Sequence, residues 1–210
     1  EEQLQARLEE IDCLKQQLEQ ENTLLRREVI HLLGCEEIVS KSKAMQHVLS
    51  QVAQVAPTNS TVLISGETGV GKEVVARAVH KLSKRSGHPL VTVNCASLPP
   101  SLIESELFGY EKGSFTGAFR SKPGRFQLAN GGTLFLDEIA NLSLDMQTRL
   151  LGFLEERVVS SIGGVKSVKL DVRIISATNA DLLGQVRKYP FREDLFYRLN
   201  EFEIQMPSLR

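Results

Sequence analysis

The chain has 210 residues, 41% of them hydrophobic, and a net charge of −1. That is enough apolar material for one sizeable core plus an appendage, and the balanced charge gives no overall electrostatic footprint for nucleic acid. No apolar run is long enough to span a bilayer, and the widely spaced Cys13, Cys35 and Cys95 form no metal-ligand pattern and fit a reducing compartment.

The chain opens on Glu1-Glu2 inside a helical pattern, without Met or a signal sequence, and stops abruptly at Leu209-Arg210. It reads as an internal piece of a longer cytoplasmic protein. Leu4, Ile11, Leu18, Leu25 and Leu32 recur every seventh residue and take position d of a heptad. Position a then holds Leu8, Lys15, Asn22 and Val29. Heptads with a central Asn at a predict a parallel two-stranded coiled coil over residues 1–34, with Arg7 facing Asp12 and Glu21 facing Arg26 of the partner. Lys15 and Asn22 weaken that seam, so a lone amphipathic helix lying on its own domain is the alternative. Gly34 ends the helix.

Residues 35–210 form the globular part. Ala44 to Val55 reads as a helix, broken by Ala56-Pro57-Thr58-Asn59. Strand-like runs at Val62–Ser65, Leu90–Asn94, Leu134–Asp137, Val172–Ala177 and Phe202–Met206 then alternate with helical stretches. The third is apolar almost throughout, as a strand covered on both faces of a parallel sheet would be. The alternation predicts an α/β layered fold.

The first strand runs into Gly66-Glu67-Thr68-Gly69-Val70-Gly71-Lys72-Glu73, and a helix follows, which is the context a P-loop requires. Its glycines let backbone N–H groups curl round phosphates, the helix N-terminus adds partial positive charge, and Lys72 reaches the β and γ phosphates. The helix is expected to bury Val74, Val75, Ala78, Val79 and Leu82. Glu73 stands where a P-loop usually has the Ser or Thr that holds Mg²⁺, so its carboxylate must turn away from the phosphates or act through the metal. Leu134-Phe135-Leu136-Asp137-Glu138 delivers two acids at the end of an apolar strand. Beside a P-loop these are the Walker B pair, Asp137 holding Mg²⁺ and Glu138 orienting and deprotonating the attacking water.

Between the two lies Gly113-Ser114-Phe115-Thr116-Gly117-Ala118. Its two glycines allow the segment to swing, and a bulky apolar side chain on a mobile tip is better placed to grip something outside the protein than to join the core.

These residues resemble the central AAA+ ATPase domain of bacterial enhancer-binding proteins, the activators of sigma-54 RNA polymerase. The resemblance covers 37–210. Its most specific element is GSFTGA, which is GAFTGA in the family, and the family's P-loop, GETGTGKE, also carries the glutamate found here as Glu73. Val93-Asn94-Cys95-Ala96, Gly131–Ile139, Ala177–Leu182 and Phe191–Leu199 are further family-like stretches. The resemblance implies a parallel five-stranded AAA+ P-loop core that hydrolyses ATP with Mg²⁺ and remodels the polymerase closed complex. It implies that Gly113–Ala118 contacts sigma-54, with Phe115 as the apolar contact and Thr116 setting loop conformation. Asn94 is implied to bond the Walker B glutamate, and Thr178 and Asn179 to sense the γ-phosphate. Arg192 and Arg198 are implied to be arginine fingers given to a neighbouring subunit in a hexameric or heptameric ring, and Ile38 and Val39 to wall the adenine.

Taken by residue type alone, Asn94 could equally be a strand-end amide satisfied by backbone, and each arginine could pair with Glu193, Asp194 or Glu201. Six residues turn a helix through about 240°, so both arginines cannot share one helical face. Ser114 departs from the family's alanine, and Ser40 from its frequent glycine. The helical lid and the DNA-binding helix-turn-helix of the family have no counterpart here, so DNA is expected to be met only through a domain this chain lacks. The zipper would hold two ATPase domains together at high effective concentration, which either favours ring growth or holds the pair in an orientation that hides the fingers; restraint is the reading preferred. Two rival readings stay open: an AAA+ ATPase with a different protein client, which would lack GSFTGA, or a dimerisation fragment inert in hydrolysis.

Overall fold

The computed structural model describes residues 42–188 and 190–209, without the side chains of Pro100 and Ser101. The heptad segment 1–34 and Ile38, Val39 and Ser40 lie outside the described residues. Five parallel strands form the centre: β1 (Val62–Ser65), β2 (Leu90–Asn94), β3 (Thr133–Asp137), β4 (Arg173–Thr178) and β5 (Phe202–Gln205), in the spatial order β2-β3-β4-β1-β5. All five fall where the sequence predicts strands, with ends shifted by a residue. Leu136 lies opposite Ser176, Ser65 opposite Thr178, and Asn94 opposite Asp137.

The helices are α1 (Lys43–Val55), α2 (Lys72–Lys81), α3 (Pro100–Phe108), α4 (Arg125–Leu128), α5 (Leu144–Glu156), α6 (Leu182–Arg187) and α7 (Glu193–Leu199). Side-chain alternation divides the sheet's apolar residues between two layers. Leu63, Leu134, Leu136 and Ile174 join one cluster with Leu107, Phe126, Leu150, Phe153 and Leu195 from the helices on that face. On the other face α2 packs against β1, β3 and β4, and α1 against α2 and β5. The middle strands are therefore dry on both sides, whereas β2 and β5 at the edges alternate with exposed residues. In α2 the buried set is Val75, Ala76, Ala78 and Val79 with Lys72 and His80; Val74 and Leu82, expected inside, are only half-buried.

One charged side chain belongs to this core. Arg173 is 2% exposed and donates to the carbonyls of Ala56 (2.7 Å), Val55 (2.9 Å) and Ser60 (3.3 Å). It satisfies the last carbonyls of α1, which no further helical turn can reach. Burial lowers its pKa to about 10.

Two short hairpins project beyond the sheet. The first pairs Gly109–Tyr110 with Lys122–Pro123, and the second pairs Val158–Ser160 with Ser167–Lys169. They are stitched together where Glu111 N–H donates to Ile162 O (3.0 Å) and Ile162 N–H to Gly109 O (2.9 Å).

Candidate functional site

The connections leaving β1 and β4 run in opposite directions. From β1 the chain crosses through α2 to the far edge at β2, whereas from β4 it passes over β1 to β5. Neighbouring strands that part in this way open a crevice outside their carboxyl ends, the usual ligand position in parallel sheets. Gly66–Gly71 of the P-loop leave β1 there, and Thr178 and Asn179 leave β4. Gly71 caps α2 with φ +92°, in open space, so backbone conformation rather than crowding calls for glycine. The first N–H groups of α2 then face the crevice with the positive end of the helix dipole.

Lys72, 7% exposed, donates to Gly66 O (2.9 Å) and Glu67 O (3.2 Å), and its Nζ lies 3.6 Å from Glu138 Oε1. Glu138 takes the left-handed conformation (φ +52°) just past β3. That conformation costs a non-glycine residue energy, and such strain concentrates where a side chain must be aimed. Asn179 is the bridge of the site. Its N–H donates to Glu138 Oε2 (3.3 Å) while its Nδ2 donates to Thr68 Oγ1 on the P-loop (2.9 Å). Thr178 is buried, and its hydroxyl accepts from Ala180 N–H (3.0 Å).

Asn94 differs from expectation. Its Nδ2 donates to Asp137 Oδ2 (3.2 Å) and not to Glu138, while its Oδ1 accepts from Ala96 N–H (2.9 Å). The parallel register explains the change, because Asn94 and Asp137 are opposite ends of β2 and β3. Glu138 lies one residue further on and swings to Asn179 and Lys72. Asp137 also accepts from Glu138 N–H (3.0 Å). Burial, and then the neighbouring Glu138, raise the Asp137 pKa. Cys95 packs beneath the two acids, and burial followed by Asp137 and Glu138 pushes its thiol up to about 12.

The carboxylate of Glu73 turns outward and pairs with Arg77 one helical turn on (2.6 Å), which removes its repulsion from the phosphate position. Arg192 is not inside a helix but is the N-cap of α7, so the angular conflict between the two arginines does not arise. Its guanidinium grips Asp194 with two bonds (3.0 and 2.7 Å) and donates to Thr148 Oγ1 (3.1 Å). Arg198 is exposed near the end of α7 and makes no ion pair among the described residues. Neither arginine bonds the P-loop or the acids of its own chain among the described residues.

Gly113–Ala118 sits at the tip of the first hairpin. Gly113 N–H donates to Ala118 O (2.9 Å) and closes the loop, with Ala118 buried. Phe115 is 45% exposed and rests edge-on against Tyr110, with ring centroids 5.0 Å apart. Thr116 is exposed. Ser114 packs on the second hairpin at Gly163, where an added Cβ would come within 2.7 Å of the Ser114 Cβ. Its Oγ is buried without a hydrogen-bond partner.

Thus the structure gathers Lys72, Asp137, Glu138, Asn94, Thr178 and Asn179 into one site, and sets the loop and the arginines apart from it. Sequence reasoning missed Arg149, which pairs with Glu104, lies 4.2 Å over the Phe108 ring and donates to Ser160 O (3.3 Å). It joins α3, α5 and the second hairpin, and no local pattern announces such a link.

The chain matches the sigma-54 interaction domain over residues 38–205. It is 52% identical over 197 residues to the DNA-binding transcriptional activator HyfR of Escherichia coli (strain K12), an alignment spanning 94% of this chain and 29% of that protein. The crystal structure of NtrX from Brucella abortus in complex with ATP superposes with a TM-score of 0.77 at 42% identity, over 90% of this chain and 40% of that one. The P-loop NTPase domain of a sigma-54 transport activator from E. coli shares the fold, with a TM-score of 0.55 at 18% identity over 82% of this chain and 100% of that one. The described helices include none long and apolar enough to cross a membrane.

Proposed function

Because this chain belongs to the sigma-54 interaction domain family, we propose that it is the AAA+ ATPase domain of a transcriptional activator that remodels sigma-54 RNA polymerase. The observation that carries the reading is Asn179, which spans from the P-loop hydroxyl of Thr68 to the carboxylate of Glu138. A group held by both can report whether a γ-phosphate lies between them.

The amides of Gly66–Gly71 and of the start of α2 bind the ATP phosphates, and Val70 and Glu73 complete that segment. Lys72 exchanges its carbonyl partners for phosphate oxygens. Asp137 suits a cation, since burial and the adjacent Glu138 already burden its ionised form. Mg²⁺ held there would neutralise charge on the phosphate oxygens. Glu138 orients water for in-line attack and accepts its proton. Arg198 serves the neighbouring subunit's nucleotide in a hexameric or heptameric ring, and Arg192 does so after leaving Asp194. Asn94 links Asp137 to the segment that enters α3, whose end begins the first hairpin. Rearrangement at the acids can thus move Gly113–Ala118, and Phe115 with it, against sigma-54.

Two substitutions in the intact activator test this reading. Glu138→Gln is expected to retain nucleotide binding and to lower ATP turnover about 10²–10⁴-fold. Phe115→Ala is expected to keep turnover and lose sigma-54 capture and promoter opening. Wild-type promoter opening by Phe115→Ala would refute the coupling.

A further inference from the structure

Helix α5 buries Met146, Leu150, Leu151, Phe153 and Leu154 against the core, and among them lies one polar side chain, Gln147, which is 0% exposed. A buried amide is costly unless its hydrogen bonds are made. Here they are made, and they reach the backbone of two other segments. Its Nε2 donates to Leu142 O (2.9 Å) and Pro190 O (3.0 Å), and its Oε1 accepts from Arg192 N–H (2.9 Å). Two carbonyls and one N–H admit a single orientation of the amide.

Arg192 is the N-cap of α7. The N–H of an N-cap residue is often taken by a Glu or Gln side chain three residues into the same helix. In α7 that position is Leu195, which is buried and offers no acceptor. Gln147 supplies the acceptor from α5 instead. Arg192 is thus held unevenly. Its backbone is fixed by Gln147 and by the neighbouring Phe191, which is buried in the core cluster. Among the described residues its guanidinium bonds Asp194 and Thr148, both exposed, and exposed ion pairs are weak. The root of the side chain is anchored while its tip can be released. The anchor also reaches the nucleotide crevice, because Leu142 caps the 3₁₀ turn Ile139–Asn141 that begins directly after Glu138.

We infer that Gln147 is the positioning residue of the arginine finger: it fixes the backbone of Arg192 against the turn that follows Glu138, so that the guanidinium, once released from Asp194, enters the neighbouring subunit's nucleotide site at a set place. This rests on the finger role proposed above for Arg192. Gln147 acts through Arg192 and not on a nucleotide of its own subunit. Its effect therefore falls on the neighbour's hydrolysis.

The test uses the intact activator and rings of mixed subunits. Gln147→Met keeps most of the volume and removes all three hydrogen bonds. Alone it is expected to lower ATP turnover about 10–100-fold, the size of loss when a reacting group is misplaced, with nucleotide binding within about twofold of wild type. Glu138→Gln subunits hydrolyse poorly but lend an intact finger. With these in excess, turnover per Gln147→Met subunit is expected to recover several-fold, as it should for Arg192→Ala subunits. Glu138→Gln/Arg192→Ala subunits complete the ring without a finger and should restore neither. Gln147→Glu keeps an acceptor for Arg192 N–H and is expected to lose less turnover than Gln147→Met; it carries the same mixing test if Gln147→Met does not fold. Wild-type turnover by Gln147→Met overturns the inference. So does recovery with the fingerless subunits, since assembly and not the finger was then at fault. If Arg192→Ala recovers with Glu138→Gln subunits and Gln147→Met does not, Gln147 serves its own subunit's crevice, and the inference is overturned while the finger reading stands. If Arg192→Ala alone keeps wild-type turnover, the finger reading falls and the inference with it.

Discussion

The nucleotide crevice and the hairpin tip are built on opposite terms. In the crevice nearly every polar group has a partner: Lys72 on two carbonyls, Asn94 on Asp137, and Asn179 on both Thr68 and Glu138. At the tip the loop is closed by a few backbone bonds, one hydroxyl is buried unpaired, and large apolar side chains face solvent. Stability is unevenly spread in proteins, and parts that move are drawn from its low end. The contrast suits the crevice to positioning, and suits the tip to the movement and contact proposed for it.

The largest expected effect tests the rigid half. Arg173 ties the end of α1 to β4, the strand that delivers Thr178 and Asn179. Arg173→Ala takes the guanidinium donor from the Ala56 and Ser60 carbonyls, leaves Val55 O to Thr58 alone and opens a void, and is expected to destabilise the chain by about 3–5 kcal/mol, read as a lower denaturation midpoint. Arg173→Met fills much of the void and should lose less. A loss under about 1 kcal/mol for Arg173→Ala would mean water takes over the carbonyls, and the crevice would not be the tightly determined half.

The two halves were also unequally legible in the sequence. The five strands, the P-loop and the acids of β3 announce themselves through apolar runs and spacing. The pairing of Asn94 with Asp137 rather than Glu138 did not, because it follows from strand register, which a single sequence does not carry. The outward turn of Glu73 is legible in hindsight, since Arg77 stands four residues on, where helix neighbours meet. The seating of Ser114 on Gly163 joins positions 49 residues apart and has no local signature. The burial of Arg173 has no local signature either, because it depends on the end of α1, more than a hundred residues away.

A smaller effect probes the hairpin tip. The buried Ser114 hydroxyl has no partner and penalises the packed arrangement of the loop against Gly163. Ser114→Ala removes that penalty, about 1–3 kcal/mol, and should shift the loop towards its packed state. Slower amide exchange across Gly113–Ala118 and weaker sigma-54 capture at unchanged ATP turnover are the expected readings. Unchanged exchange would show that the hydroxyl finds water, and that the tip is less poised than the comparison implies.

The smallest effect lies where the rigid half meets pH. His80, on the helix that follows the P-loop, is buried with its Nδ1 3.0 Å from Thr133 Oγ1 at the start of β3. Burial lowers its pKa below the ordinary 6.5, and the neighbouring Arg173 and His88 charges act in the same direction, while a hydrogen bond from the ring to the His88 backbone opposes them. The unfolded chain therefore takes up this proton at a higher pH than the folded chain does, so folding stability is full above about 6.5 and declines as pH falls below it. Thermal midpoints measured from pH 7.5 to 5.5 should fall, and His80→Gln should flatten that slope. Because His80 joins the P-loop helix to the strand carrying Asp137, the same acid shift should loosen the crevice and leave amide exchange at the Gly113–Ala118 tip unchanged. Exchange that rises equally at both places would dissolve the distinction between them.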